Sequence, residues 1–132
     1  MDFIDRLKDS VNAISNLPIK CILGYLKPDE SLVLYPLPGS KVISETYDGE
    51  KDQELNYEFA MKSKDQEQIQ KVLWLIQTHL EELSELKSSD DSFNFWKIEI
   101  ANKPYIGSED DQSYYVFILD IRATITTYKE RK

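Results

Sequence analysis

The chain has 132 residues, 41% hydrophobic and 30% charged, which is enough apolar material for one domain over residues 1–132 and too much for a disordered tail. With 16 basic and 24 acidic side chains the net charge is −8, which disfavours nucleic acid and anionic membranes as partners. The single Cys21 allows no internal disulfide, no apolar run approaches the roughly 18 residues of a membrane span, and Met1-Asp2 opens no signal-peptide pattern, so an intracellular setting is expected.

Phe3, Ile4, Leu7, Val11 and Ile14 recur at steps of three and four, which predicts a helix over residues 2–16 stopped by Pro18. Ile19 to Leu26 reads as a short strand ending in the turn Lys27-Pro28-Asp29-Glu30. Leu32 to Leu37 reads as a second strand, and Pro36 and Pro38 argue for an edge position because proline cannot donate to a ladder. Val42, Ile43 and Thr46 lead through Asp48-Gly49 into Leu55, Tyr57, Phe59 and Met61 at period two, the pattern of a hairpin. Ser63 and Gln66 form a capping-box pair before Ile69, Val72, Leu73, Ile76, Leu80, Leu83 and Leu86, predicting a long helix over about 65–86. Glu67, Lys71, Glu81, Glu82 and Glu85 mark its wet face.

Lys87 to Ser92 is a polar loop. In the strand Phe93–Ile100, strict alternation places Trp96, Ile98 and Ile100 on one face and Lys97 and Glu99 on the other. Ser113–Thr127 alternates Phe117, Leu119, Ile121, Ala123 and Ile125 with Asp120, Arg122, Thr124 and Thr126. The segment Ala101–Gln112 between them reads as a long connection. The expected fold class is therefore α+β, an antiparallel or mixed sheet with a long helix and an N-terminal helix packed on one face.

The inventory for chemistry is thin. His79, the only histidine, has no second catalytic group nearby in sequence and reads as a residue beside the apolar stripe with its tip exposed. Cys21 sits in an apolar strand and reads as a buried small hydrophobe. Glu109-Asp110-Asp111 and Asp90-Asp91 lack the alternating spacing and closing glutamate of a calcium loop, and Gly39-Ser40-Lys41 lacks the earlier glycine of a phosphate loop. The expectation is no catalytic residue, no metal, no cofactor and no enzymatic activity. The segments left over are contact surfaces: the hairpin tip with Tyr47, Asp48 and Gly49, and the connection with Tyr105, Ile106 and Gly107, since binding groups collect on loops held by a scaffold.

The strings GYLKPDE, LVLYPLPGS, LNYEFAMKSKDQEQ and FWKIEIANKPYIGSEDDQSYYVFILDIRATIT, in this order behind an amphipathic N-terminal helix, resemble the tail-terminator proteins of long-tailed bacteriophages and prophages. That family, often filed as minor capsid proteins, has no catalytic signature and fixes no contact residue by motif. The resemblance implies a non-enzymatic structural protein that forms a ring, commonly of six subunits, on the last ring of the tail tube. There it stops polymerisation and offers a surface to the head connector. Implied partners are a second copy of the chain, the tail tube protein and the head–tail connector or completion protein, with neither nucleic acid nor membrane. The implied location is the host cytoplasm during assembly and then the virion neck. The alternative is a small cone-type α+β module of cystatin-like shape that holds a small molecule, with weak enzymatic activity; it would need a concave apolar pocket with converging polar groups.

Overall fold

A computed structural model of the chain describes residues 2–89, 91–109 and 114–128, with the backbone alone for 103–109. It contains helices α1 (Phe3–Asn12) and α2 (Gln66–Glu81) and strands β1 (Cys21–Leu23), β2 (Ser31–Pro36), β3 (Lys41–Glu45), β4 (Lys51–Ser63), β5 (Phe93–Glu109) and β6 (Tyr115–Thr127). The strands make one sheet in the order β1-β2-β4-β6-β5, with β3 joined to the front of β4. β1 and β2 run parallel and the other pairs antiparallel, so the sheet is mixed. The architecture is α+β, as expected.

Both helices lie on one face of this sheet. Phe3, Leu7 and Val11 of α1 and Ile69, Val72, Leu73, Ile76 and Leu80 of α2 are buried in the same cluster as Leu32, Leu34, Tyr57, Phe59, Met61, Phe117, Leu119 and Ile121. The ring of Phe3 stacks at 5.5 Å on Tyr57 and edge-on at 5.1 Å against Phe93, which clamps α1 over the centre of the sheet. Cys21 is fully buried, and that burial pushes its thiol up to about 12, the inert state expected. The carboxylate of Asp2 receives hydrogen bonds from Ser88 Oγ at 2.7 Å, Ser89 N at 2.8 Å, Ser89 Oγ at 2.6 Å and Ser92 Oγ at 3.2 Å, tying the start of α1 to the polar loop before β5.

Several boundaries differ from the sequence reading, each for a local reason. α1 stops at Asn12, short of residue 16, because the Asn12 amide is committed to the backbone of Cys21 and Asn16 adopts a left-handed φ of 67°. Ile14 still packs against the core from outside the helix. The first strand shrinks to Cys21–Leu23 because Gly24, at φ 116°, turns the chain away. β2 is interior where Leu32–Leu34 pair with β1, and it becomes an edge only beyond that, at Tyr35 and Pro36. Ser63 is the last residue of β4 and not a cap; Asp65 caps α2, accepting from the amides of Glu67 and Gln68. α2 has 16 residues and spans about 24 Å at about 1.5 Å per residue, while Leu83 and Leu86 pack on the core after the helix has ended.

The largest correction is in β5. It runs for 17 residues to Glu109, so Tyr105, Ile106 and Gly107 belong to a strand and not to a loop. Its pairing with β6 slips at four places, and the first slip, between Phe95 and Lys97, reverses the alternation. Phe93, Phe95 and Ile98 therefore face the core, and Trp96 points to the opposite side, 60% exposed. Asp90, Asp110 and Asp111, of the acidic runs considered for a cation, lie outside the described residues.

Candidate interaction surface

With the helices covering one face, the chemistry open to a partner lies on the other face and on the hairpin that projects from it. The sheet register orders this outer face into rows. Nearest the hairpin, Trp96 Nε1 donates to Thr126 Oγ1 at 2.5 Å, Thr126 Oγ1 donates to Asp52 Oδ1 at 2.6 Å, and Ser44 Oγ donates to Asp52 Oδ2 at 2.9 Å. This chain crosses β5, β6, β4 and β3 and fixes the indole against the sheet. The Thr126 and Ser44 hydroxyls hold the Asp52 carboxyl below its ordinary range. Beside it, Ile43, Asp52, Trp96, Lys97 and Thr124 line an open depression of about 440 Å³.

The next rows are charged. Glu54 faces Arg122 Nε at 3.6 Å and Lys41 Nζ at 3.9 Å, and Lys97 pairs with Glu99 at 2.6 Å. The hydrogen bond and charge of Lys97 hold Glu99 low. Further along, Glu58 and Asp120 stand directly opposite each other. Tyr35 donates to Glu58, and Asn102 Nδ2 donates to Asp120 Oδ2 at 2.9 Å. Burial first, and then the Asp120 carboxyl, raise Glu58 above the usual carboxylate range.

The tip of the β3–β4 hairpin is wired internally. Thr46 N donates to Glu50 O at 2.8 Å, Glu50 N donates back to Thr46 Oγ1 at 3.2 Å, and Thr46 Oγ1 donates to Asp48 Oδ1 at 2.5 Å. Gly49 takes φ 88°, the left-handed conformation such a turn requires. The Tyr47 side chain stands fully exposed, and the tip with Lys51, Gln53, Thr127 and Tyr128 walls a second depression of about 440 Å³.

The expected contact residues separate. Tyr47, Asp48 and Gly49 crown the hairpin, whereas Tyr105 and Ile106 pair with Ile118 and Phe117 toward the other end of the sheet, about 30 Å away at about 3.4 Å per strand residue. The two groups do not form one site. Trp96 and Ile43, which sequence reading did not single out for contact, lie on the hairpin side instead. His79 is half-buried, bonded to Ser10 Oγ at 2.8 Å, and burial lowers its pKa; it is a tie between α1 and α2 and not an exposed tip. Among the described residues no group of three His, Cys, Asp or Glu is placed to hold a metal ion. Nor is any of their helices long and apolar enough to cross a membrane.

A family model described as bacteriophage tail terminator protein matches residues 5–127. No curated protein matches the chain. The chain belongs to the bacteriophage tail terminator family, a family of structural proteins.

Proposed function

We propose that this tail terminator protein assembles into a ring of six subunits on the last ring of the tail tube. There it ends tube polymerisation and presents a joining surface to the head–tail connector. Assembly takes place in the host cytoplasm, and the protein then stays at the neck of the virion; it performs no catalysis and contacts neither nucleic acid nor membrane. The observation that carries the reading is the built outer face next to the hairpin: Trp96, 60% exposed, is anchored through Thr126 and Asp52 to three other strands. An exposed tryptophan held rigidly costs little entropy on binding and suits the centre of a protein interface. A ring needs two different patches on each subunit that meet head to tail. The hairpin tip at Tyr47–Gly49 and the distant Tyr105–Gly107 segment can supply two such patches, which leaves β3 and the Trp96 depression for another partner. The net charge of −8 opposes association of free subunits, so closure waits for the tube end as a template.

The test is electron microscopy of tail tubes grown with the protein, with and without replacement of residues 46–50 by a two-residue turn. The intact protein should give tubes of fixed length ending in a ring, and the shortened one, still folded, should give tubes of uncontrolled length. Tubes that overrun their length with the intact protein present would refute the terminator role.

A further inference from the structure

Among the described residues a neighbouring strand could approach the sheet along β1, β3 and β5, besides the two-residue end of β2 at Tyr35 and Pro36, and β1 and β5 are hindered. At β1, which is three residues long, the Asn12 side chain takes the backbone of Cys21 on both sides, donating to its carbonyl at 3.0 Å and accepting from its amide at 2.7 Å. At β5 the four slips in register break the straight row of donors and acceptors that strand addition needs. β3 has no side-chain cap like that on β1, and its pairing with β4 slips once, between Val42 and Ser44, which leaves Ile43 as the extra residue. All five of its residues are exposed, Val42 and Ile43 about half, and among the described residues it pairs with β4 alone. An open, apolar edge of this kind is a template for a further strand.

The charge around that edge selects what can add. Over residues 45–54, Glu45, Asp48, Glu50, Asp52 and Glu54 stand against Lys51 alone. The bases nearest the outer face are occupied, Lys41 and Arg122 by Glu54 and Lys97 by Glu99, whereas no ion pair engages Glu45, Asp48 or Glu50 among the described residues. A second copy that paired its own acidic hairpin with this edge would bring repulsion; a cationic segment would be attracted to it.

We propose that β3 receives an extended, lysine- or arginine-rich segment of a partner protein by strand addition, with an apolar side chain of that segment entering the depression between Ile43 and Trp96. Backbone hydrogen bonds to β3 supply the register, and Glu45 and Glu50 select positive charge. The inference rests on the reading of the hairpin side as a contact surface and names the chemistry of what it contacts.

The probes are three synthetic peptides: alternating lysine and valine, alternating glutamate and valine, and the lysine–valine sequence with alternate backbone amides N-methylated. Binding to the full chain carrying Trp74→Phe is followed by Trp96 emission and by amide resonances. The lysine–valine peptide should saturate, perturb the amides of residues 41–45 and weaken about tenfold or more as salt is raised from about 0.05 to 0.5 M. The other two peptides, and the lysine–valine peptide on Glu45→Lys/Glu50→Lys, should bind about tenfold more weakly or worse, as expected when hydrogen bonding or charge is removed. Equal binding of the glutamate or N-methylated peptide, perturbation centred on β5 or α2, pairing of β3 with a second copy, or no saturation would each overturn the proposal. Tube capping by the intact chain is scored separately. An intact chain that caps tubes yet does not bind the lysine–valine peptide refutes this inference alone, and an intact chain that binds the peptide but fails to cap refutes the terminator reading alone.

Discussion

Leu73 lies in the middle of α2 with no exposed surface, inside the cluster that joins both helices to β4 and β6. Leu73→Ala removes three carbons without weakening the helix, since alanine is its best former. At about 0.8 kcal/mol per buried carbon group the transfer loss alone is about 2.4 kcal/mol, and the cavity left under a helix pinned by Val72, Ile76 and the sheet raises the total to about 3–4 kcal/mol. An unfolding entropy of about 2.1 cal/mol/K per residue over 132 residues turns this into a Tm decrease of roughly 10–15 °C. The control is Lys71→Ala on the exposed face of the same helix, where a change within about 0.5 kcal/mol is expected. Urea and thermal unfolding followed by circular dichroism give both numbers. A Leu73→Ala loss below about 0.5 kcal/mol, or a loss at Lys71→Ala as large as that at Leu73, would show that α2 does not face the sheet as described.

Asp2→Ala should lower Tm at neutral pH, because it strips Ser88, Ser89 and Ser92 of their common acceptor. Burial raises the Asp2 carboxyl, but the hydrogen bonds from Ser89, Ser88 and Ser92 outweigh it and hold the group well below its ordinary value near 3.8, so its stabilisation is full above that pH and fades as pH falls below it. The wild-type and variant melting curves should therefore converge in acid; a constant gap from neutral pH to strong acid would contradict the assignment. Glu58 is shifted the other way, so the folded state holds its proton more tightly than the unfolded chain, and stability falls as pH rises from about 4.5 through the raised value. Glu58→Gln should equal or exceed the wild type in Tm at neutral pH, and a clear loss there would refute the carboxyl pairing as a source of strain. His79→Gln keeps a polar group within reach of Ser10 and should leave tube capping intact; capping lost with unchanged Tm would give His79 a functional role that its half-buried position between helices does not predict. Since burial lowers its pKa, the wild-type histidine should cost stability as pH falls below about 6.5, a dependence the glutamine variant lacks.

The helices and the central strands were legible from the sequence because burial is periodic and periodicity is local. Leu7 and Val11, Leu73 and Leu80, and Phe117, Leu119 and Ile121 each repeat at the step of their element, and all of them are buried. The family was legible too, since the order of those elements runs through nearly the whole chain. What only the tertiary structure decided is where the pattern is interrupted. Nothing in Phe95-Trp96-Lys97 announces the bulge that carries Trp96 to the outer face, because a bulge is set by the register of β6, some thirty residues later in the chain. For the same reason Tyr105 and Ile106 looked like a connection: Pro104 and Gly107 disfavour a strand locally, and pairing with Ile118 and Phe117 outweighs that preference. The hydrogen bonds from Asn12 to the backbone of Cys21 and the pairing of β3 with β4 are likewise relations between separate segments, which no local pattern encodes.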